Sequence, residues 1–382
     1  MATALNKPQL TELTSARFIA AMAVLLGHFA DLLALPPLLS QFISGGIGVS
    51  FFFVLSGFIL CYSYWDTFSG GLGAATFRRY CVARIARIYP LYVLALLLIT
   101  GLYLALAAWR AELVTFPADP LVSWLANLLA VQTFAPTLAT QQFWNAPGWS
   151  ISTEFAFYLL LPLVLAGIAR YIRDGTGLVL LLLLAITFGA LAQALMLILA
   201  LGFGWDQAYW VDTLASRHIV WRLPEFLTGV IAARLLFGHH LGWLNRSRNR
   251  NALLLASLAT VWLLNLLPWP ADPRAFVFMR QFRLDIGYML PFAGVIVALA
   301  AGPSCLSALL RRPVCVLLGN ASYALYIFHW IPWTALTALK SVGMAPHPLA
   351  VVAVIMVTIL ASIGAYLWFE NPARNDLRQR FG

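Results

Sequence analysis

Arg17 and His28 lie eleven residues apart inside one apolar stretch running from about residue 13 to 39. Ionisable side chains are expensive in a membrane helix, so such a pair is read first as functional. Eleven residues make about three α-helical turns, which puts both groups on nearly one face, roughly 16 Å apart along the axis. A guanidinium at the membrane edge suits a phosphate, and an imidazole deeper in suits proton transfer or attack on an acyl carbon. The plainer reading is that His28 makes an interhelical hydrogen bond while Arg17 snorkels to lipid phosphate.

Other polar residues fall at matching depths. Arg84 and Arg87 stand three apart, ahead of Ile88-Tyr89-Pro90-Leu91-Tyr92. They are neighbours on one helix face, and guanidinium pairs capture phosphate oxygens in bidentate fashion. Arg17 starts its helix at the same edge, so the three converge on one polyphosphate unless they merely anchor a cytoplasmic loop. In Trp149-Ser150-Ile151-Ser152-Thr153-Glu154 the carboxylate falls near the depth of His28. It either holds the imidazole in one tautomer or accepts a proton itself. Asp31 competes for the orienting role, and an ion pair with Arg222 is the structural alternative for Glu154. Arg222 and Glu225, spaced i, i+3, predict an internal ion pair. His329 closes the run Ser322-Tyr323-Ala324-Leu325-Tyr326-Ile327-Phe328-His329 and falls in the outer half of its helix. Gly46, Ser50 and Gly57 permit close helix packing, while Ser50 and Ser56 are interior donors.

The elements that must position these groups are membrane helices. The chain is 62% hydrophobic and 10% charged, which predicts a polytopic all-α membrane protein rather than a soluble core. Its apolar runs do not alternate, which excludes a β-barrel. The net charge of +10 sits mostly on arginines in short loops, which argues for topology and contact with anionic membrane lipids and against nucleic acid. Helices are expected near residues 14–35, 46–65, 86–108, 150–170, 178–203, 217–237, 252–268, 285–302, 314–338 and 349–369.

An eleventh run, Leu121 to Val131, is half the needed length. If it does not span, most loop arginines fall on one side, and if it does, the asymmetry collapses. About ten spanning helices with both termini cytoplasmic and a re-entrant or interfacial segment at 121–131 follow. The loop from Arg274 to Arg283 fits this topology least well. The first run is too long for a removable signal peptide. Cys61, Cys81, Cys305 and Cys315 all fall near the cytoplasmic side, where thiols stay reduced, and their spacing matches no zinc site. One domain, residues 1–382, is expected, with a cytoplasmic N-terminus at 1–13 and a basic tail at 371–382.

Taken together these residues resemble the membrane-bound acyltransferase-3 family. The likeness rests on Arg17 with His28, Gly48-Val49-Ser50-Phe51-Phe52-Phe53-Val54-Leu55-Ser56-Gly57-Phe58, Arg84-x-x-Arg87 with Tyr89-Pro90, Trp149-Ser150-x-Ser152-x-Glu154 with Tyr158, and Ser322-Tyr323-x-Leu325-Tyr326-x-x-His329. Each motif alone is weak, but they occur in the family's order from residue 14 to about 330. The resemblance implies a multi-pass protein of the bacterial inner membrane that moves an acyl group, usually acetyl from cytoplasmic acetyl-CoA, to a hydroxyl of a carbohydrate or lipid-linked glycan. Exported or surface polysaccharide is the usual acceptor. It carries the catalytic histidine to His28 and the basic cytoplasmic motif to Arg84 and Arg87. Some members append a periplasmic hydrolase-like domain, and any such handover here is expected to need a separate protein.

Resemblance and depth fit one mechanism. Arg17, Arg84 and Arg87 hold the CoA phosphates, and the pantetheine arm reaches His28, which acts as base or carries the acetyl group. Glu154 orients His28 or the acceptor. Ser56, Ser152, Tyr326, His329 and Arg222 are the candidates to contact the acceptor or the developing oxyanion. No metal is expected. The competing class is a secondary transporter or glycolipid flippase, which also carries intramembrane charges but usually shows internal repeats and midplane sites. No convincing repeat is visible here.

Overall fold

A computed structural model describes residues 7–36, 39, 43, 45–135, 137–202, 217–268, 279, 280 and 282–381. Arg274, with most of its loop, and the chain ends at 1–6 and 382 lie outside these residues. Every regular element among the described residues is helical. The principal helices are α1 Thr11–Phe29, α2 Gly45–Phe68, α3 Ala74–Trp109, α4 Pro120–Leu128, α5 Gly148–Tyr171, α6 Gly175–Gly202 and α7 Ile219–Phe237. They continue with α8 Ser247–Leu266, α9 Met289–Ala300, α10 Pro313–Asn320, α11 Ser322–Phe328, α12 Trp330–Ser341, α13 Pro348–Ala365 and α14 Asn371–Phe381.

Among the described residues 7 helices are long and apolar enough to cross a membrane, and α10 with α11–α12 makes an eighth if it counts as one span bent by 44°. Two further expected spans, 217–237 and 252–268, are present as helices of 19 and 20 residues. They fall short in apolarity: α7 carries Arg222, Glu225 and Arg234, and α8 opens on Ser247-Arg248-Asn249-Arg250-Asn251.

Several boundaries differ from expectation. α1 stops at Phe29 rather than near 35. α3 begins at Ala74, so Arg78, Arg79, Arg84 and Arg87 lie on the helix itself and not in a loop. Nothing between Ala74 and Trp109 breaks the helix except Pro90, which removes a single ladder donor. At 36 residues α3 is about 54 Å long, well beyond a hydrocarbon core of roughly 30 Å. The expected tail at 371–382 continues as α14 behind a π-turn at Tyr366–Glu370.

The chain packs as two compact units. The first gathers Met1–Arg17, Val49–Phe77 and Ala156–Val316, and the second Phe18–Gly48, Arg78–Phe155 and Leu317–Gly382. In the first unit glycines set the closest crossing. A Cβ on Gly57 of α2 would overlap the Phe226 carbonyl, and one on Gly229 of α7 would overlap the Val54 carbonyl. The two helices therefore touch backbone to backbone. Phe157 stacks on Phe226 with ring centres 4.5 Å apart. The first turn of α1 and Lys7 just before it are fixed here too: Lys7 pairs with Asp66 at 2.7 Å, and Glu12 accepts from Ser307 and Arg311 at 2.9 and 2.7 Å.

In the second unit the run at 121–131 forms α4 and a return, both packed along α3. Trp124 donates to Thr100 at 3.0 Å on the way in, Tyr89 and Tyr92 donate to the Leu128 and Asn127 carbonyls at 2.8 and 2.6 Å at the tip, and Tyr103 donates to Phe143 at 2.8 Å on the way out. The segment enters and leaves at the same end of α3, as a re-entrant element does. Its tip turns at Ala130, held at φ 54, with Ala130 N–H on the Asn127 carbonyl and Val131 N–H on Ala126. That is a helix-ending turn usually given to glycine. Ser123 and Asn127 are buried while Leu121, Val122 and Leu129 are 70%, 65% and 65% exposed. With its polar side inward and its apolar side outward, α4 is built for a lipid surround.

Candidate active site

His28 occupies the last turn of α1. Gly48 lets the start of α2 close on that helix, because any Cβ there would overlap Val24 and the Ala20 carbonyl. The approach brings Gly45 over the His28 ring, where a Cβ would sit 3.5 Å from Cε1 and 3.7 Å from Nε2. A bare glycine leaves that edge of the imidazole uncrowded.

The partner of His28 comes from the bent segment. Pro332 has no N–H to offer the Phe328 carbonyl, so α11 ends at Phe328 and α12 begins at Trp330. His329 sits at this junction, fully buried. Its Nε2 lies 3.0 Å from His28 Nδ1, and its Nδ1 lies 3.3 Å from the Leu325 carbonyl. The two rings stack with centres 5.1 Å apart and planes 24° apart. Trp333 donates to the His28 carbonyl at 2.7 Å, Trp330 meets the His28 ring edge-on at 5.2 Å, and the two indoles stack at 4.1 Å. The ring of His28 is thus held on three sides.

Neither carboxylate expected to orient His28 does so. Among the described residues the side-chain hydrogen-bond partner of His28 is His329. Asp31 lies past the end of α1, where it is exposed. Glu154 lies on α5, half-buried, without a bond to His28.

The other second-unit candidates are drawn together in part. Tyr326 shares a 2.7 Å hydrogen bond with Ser150, and Ser152 one of 2.7 Å with Thr133. Asn145 donates to the Ile327 carbonyl at 3.1 Å, which fixes the start of α5 against α11. At the other end of α3, Arg78 and Arg79 are exposed, Arg87 is half-buried and Arg84 is only 7% exposed. Arginines that simply favoured the cytoplasmic side would all resemble Arg78. Tyr323 donates to the Ile88 carbonyl at 2.9 Å, one residue past Arg87. The helix that leads into His329, α11, is therefore tied to the arginine end of α3.

Arg17, Ser56 and Arg222 belong to the first unit. Arg17 nonetheless shares α1 with His28. Arg222 anchors a buried cluster: it pairs with Glu225 at 3.0 Å, as the i, i+3 spacing predicts, and with Asp285, whose other oxygen accepts from Gln193 at 2.7 Å. Its guanidinium also lies over the Phe53 ring at 5.1 Å. Ser50 donates to the Leu284 carbonyl at 2.5 Å. Asp285 is the residue whose pairing the sequence left unseen, because it sits 63 positions from Arg222.

Residues 10–367 match the acyltransferase-3 family, described as an acyltransferase domain. The chain is 31% identical over 341 residues to Acyltransferase MdmB of Streptomyces mycarofaciens, an alignment that takes in 85% of this chain and 79% of that protein. No solved structure matches the chain.

Proposed function

Because the chain belongs to the acyltransferase-3 family, we propose that it is a multi-pass enzyme of the bacterial cytoplasmic membrane that transfers acetyl from cytoplasmic acetyl-CoA to a carbohydrate hydroxyl at the outer face. The acceptor is a sugar on an exported or lipid-linked glycan or a glycoside. The observation that carries this reading is the 3.0 Å pairing of a half-buried imidazole, His28, with a fully buried one, His329. A membrane helix has little structural reason to hold two imidazoles in contact when each desolvated ring is costly.

In the proposed reaction the CoA phosphates rest on Arg84 and Arg87, with Arg17 in the second turn of α1, the helix that leads to His28. Guanidinium forks match phosphate oxygens better than lysine does. The pantetheine arm spans a distance on the order of the 16 Å between Arg17 and His28 along α1. His28 takes the proton of the acceptor hydroxyl as its oxygen attacks the thioester carbonyl, and the C–S bond then breaks, with the proton passing to the leaving thiolate. In a two-step variant the same imidazole nitrogen attacks the thioester first and expels the CoA thiolate; the acceptor hydroxyl then attacks the acyl-imidazole, the C–N bond breaks, and the hydroxyl proton neutralises the thiolate. Glu154 faces the acceptor rather than His28 in this scheme, and Tyr326 or Ser152 contributes to oxyanion binding by exchanging a present hydrogen bond. Support also comes from the relative, itself an acyltransferase.

The test is transfer from radiolabelled acetyl-CoA by detergent-purified protein to a panel of sugar glycosides. Label is expected in an ester that mild base removes, with His28→Ala falling by about 10³-fold or more. Full transfer by His28→Ala would remove the assignment, and glycolipid translocation without acyl transfer would favour a transporter.

A further inference from the structure

The two imidazoles do more than touch: the partners of their ring nitrogens bear on where each proton sits. The Leu325 carbonyl only accepts, so the His329 Nδ1 that faces it at 3.3 Å carries a hydrogen. A neutral imidazole has one N–H, and a fully buried ring beside a second imidazole has little reason to carry two. His329 Nε2 is then a bare acceptor, and the 3.0 Å contact requires the hydrogen to sit on His28 Nδ1. What remains on His28 is the Nε2 lone pair, and that is the edge under which Gly45 leaves room.

We infer that His329 is a positioning residue that fixes His28 in the Nδ1–H tautomer, through a relay that ends on the Leu325 backbone carbonyl in the place where many hydrolases use a carboxylate. The inference rests on the acyl-transfer reading of His28 and deepens it. A helix carbonyl suits this duty because it adds no net charge to an apolar setting, whereas a carboxylate there would have to be desolvated. The helix break at His329, set by Pro332, and the stacked and edge-on rings around His28 hold the geometry. Tautomer control by the hydrogen bond on the other nitrogen is the general rule for working histidines.

The test compares His329→Gln with His329→Phe. Glutamine keeps an acceptor oxygen near the place of Nε2, and phenylalanine keeps the ring without one. His329→Gln is expected to retain kcat within about tenfold, and His329→Phe to lose about 10²–10³-fold in kcat with KM for both substrates unchanged. Equal losses in the two variants would make His329 merely structural and overturn the relay. A second readout needs neither variant nor turnover: ¹⁵N-histidine spectra of the wild-type protein in nanodiscs. They are expected to show His28 protonated at Nδ1 and bare at Nε2, and the opposite assignment overturns the relay. Loss of activity in His28→Ala together with full activity in His329→Phe would end the relay while leaving the acyl-transfer reading intact.

Discussion

Arg84 and Arg79 lie five residues apart on one helix and behave differently, and the difference is a matter of burial. Arg79 is exposed, whereas Arg84 is 7% exposed within a unit that also holds His28. If Arg84 and Arg87 bind CoA phosphates, replacing either by Gln removes a charge-assisted contact of about 1.5–3 kcal/mol. KM for acetyl-CoA should then rise roughly tenfold to a hundredfold with kcat little changed, and Arg79→Gln should leave both constants alone. Steady-state kinetics with varied donor would check this, and an unchanged KM in the Arg84 variant would take it out of the phosphate site. His28 stood out in the sequence because an ionisable residue in an apolar run needs a reason, and Arg84 because it stands three residues from Arg87. The pairing of His28 with His329 was not, since 301 positions separate them and no periodicity links distant helices. Depth alone favoured Glu154 as the orienting group, but equal depth says nothing about which side of a helix a residue faces.

Glycines separate packing from decoration at the element scale. Gly57 and Gly229 interlock α2 and α7 with no room for a methyl group, while a Cβ on Gly101 of α3 would meet nothing within 4 Å. Gly229→Ala should push the two backbones apart and destabilise by about 1–3 kcal/mol. Gly101→Ala should be neutral or stabilising by roughly 0.5–1 kcal/mol, because alanine costs less to order in a helix. Thermal midpoints in detergent would show opposite signs, and a shared sign would contradict the crossing. Gly57 was legible as a packing residue from its place in a small-residue pattern. The extent of α3 was not, because arginines that read as a loop are compatible with a helix once it projects beyond the bilayer. The break at His329 was marked in the sequence by Pro332, yet a proline three residues into a helix is equally at home in an unbroken start. That residues 121–131 are too short to span was legible from their length, and α4 packs along α3.

For the molecule as a whole, composition was enough to give an all-helical membrane fold, and the order of its motifs enough to give its family. What composition could not supply is the division into two units, each assembled from stretches far apart in sequence. Contacts between helices that look equally apolar decide it. Sidedness is a property of the whole chain, and the proposed orientation rests on the arginine distribution. Cys305, an exposed free thiol beside Arg311 and Arg312, should therefore resist an impermeant thiol reagent applied to intact cells and react after permeabilisation. Labelling from outside would invert the topology. The proposed reaction uses donor and acceptor from opposite faces. In sealed proteoliposomes, with labelled acetyl-CoA outside and an impermeant glycoside acceptor trapped inside, the trapped acceptor should become acetylated by the wild-type protein and not by His28→Ala. Acetylation only when donor and acceptor share a compartment would contradict it.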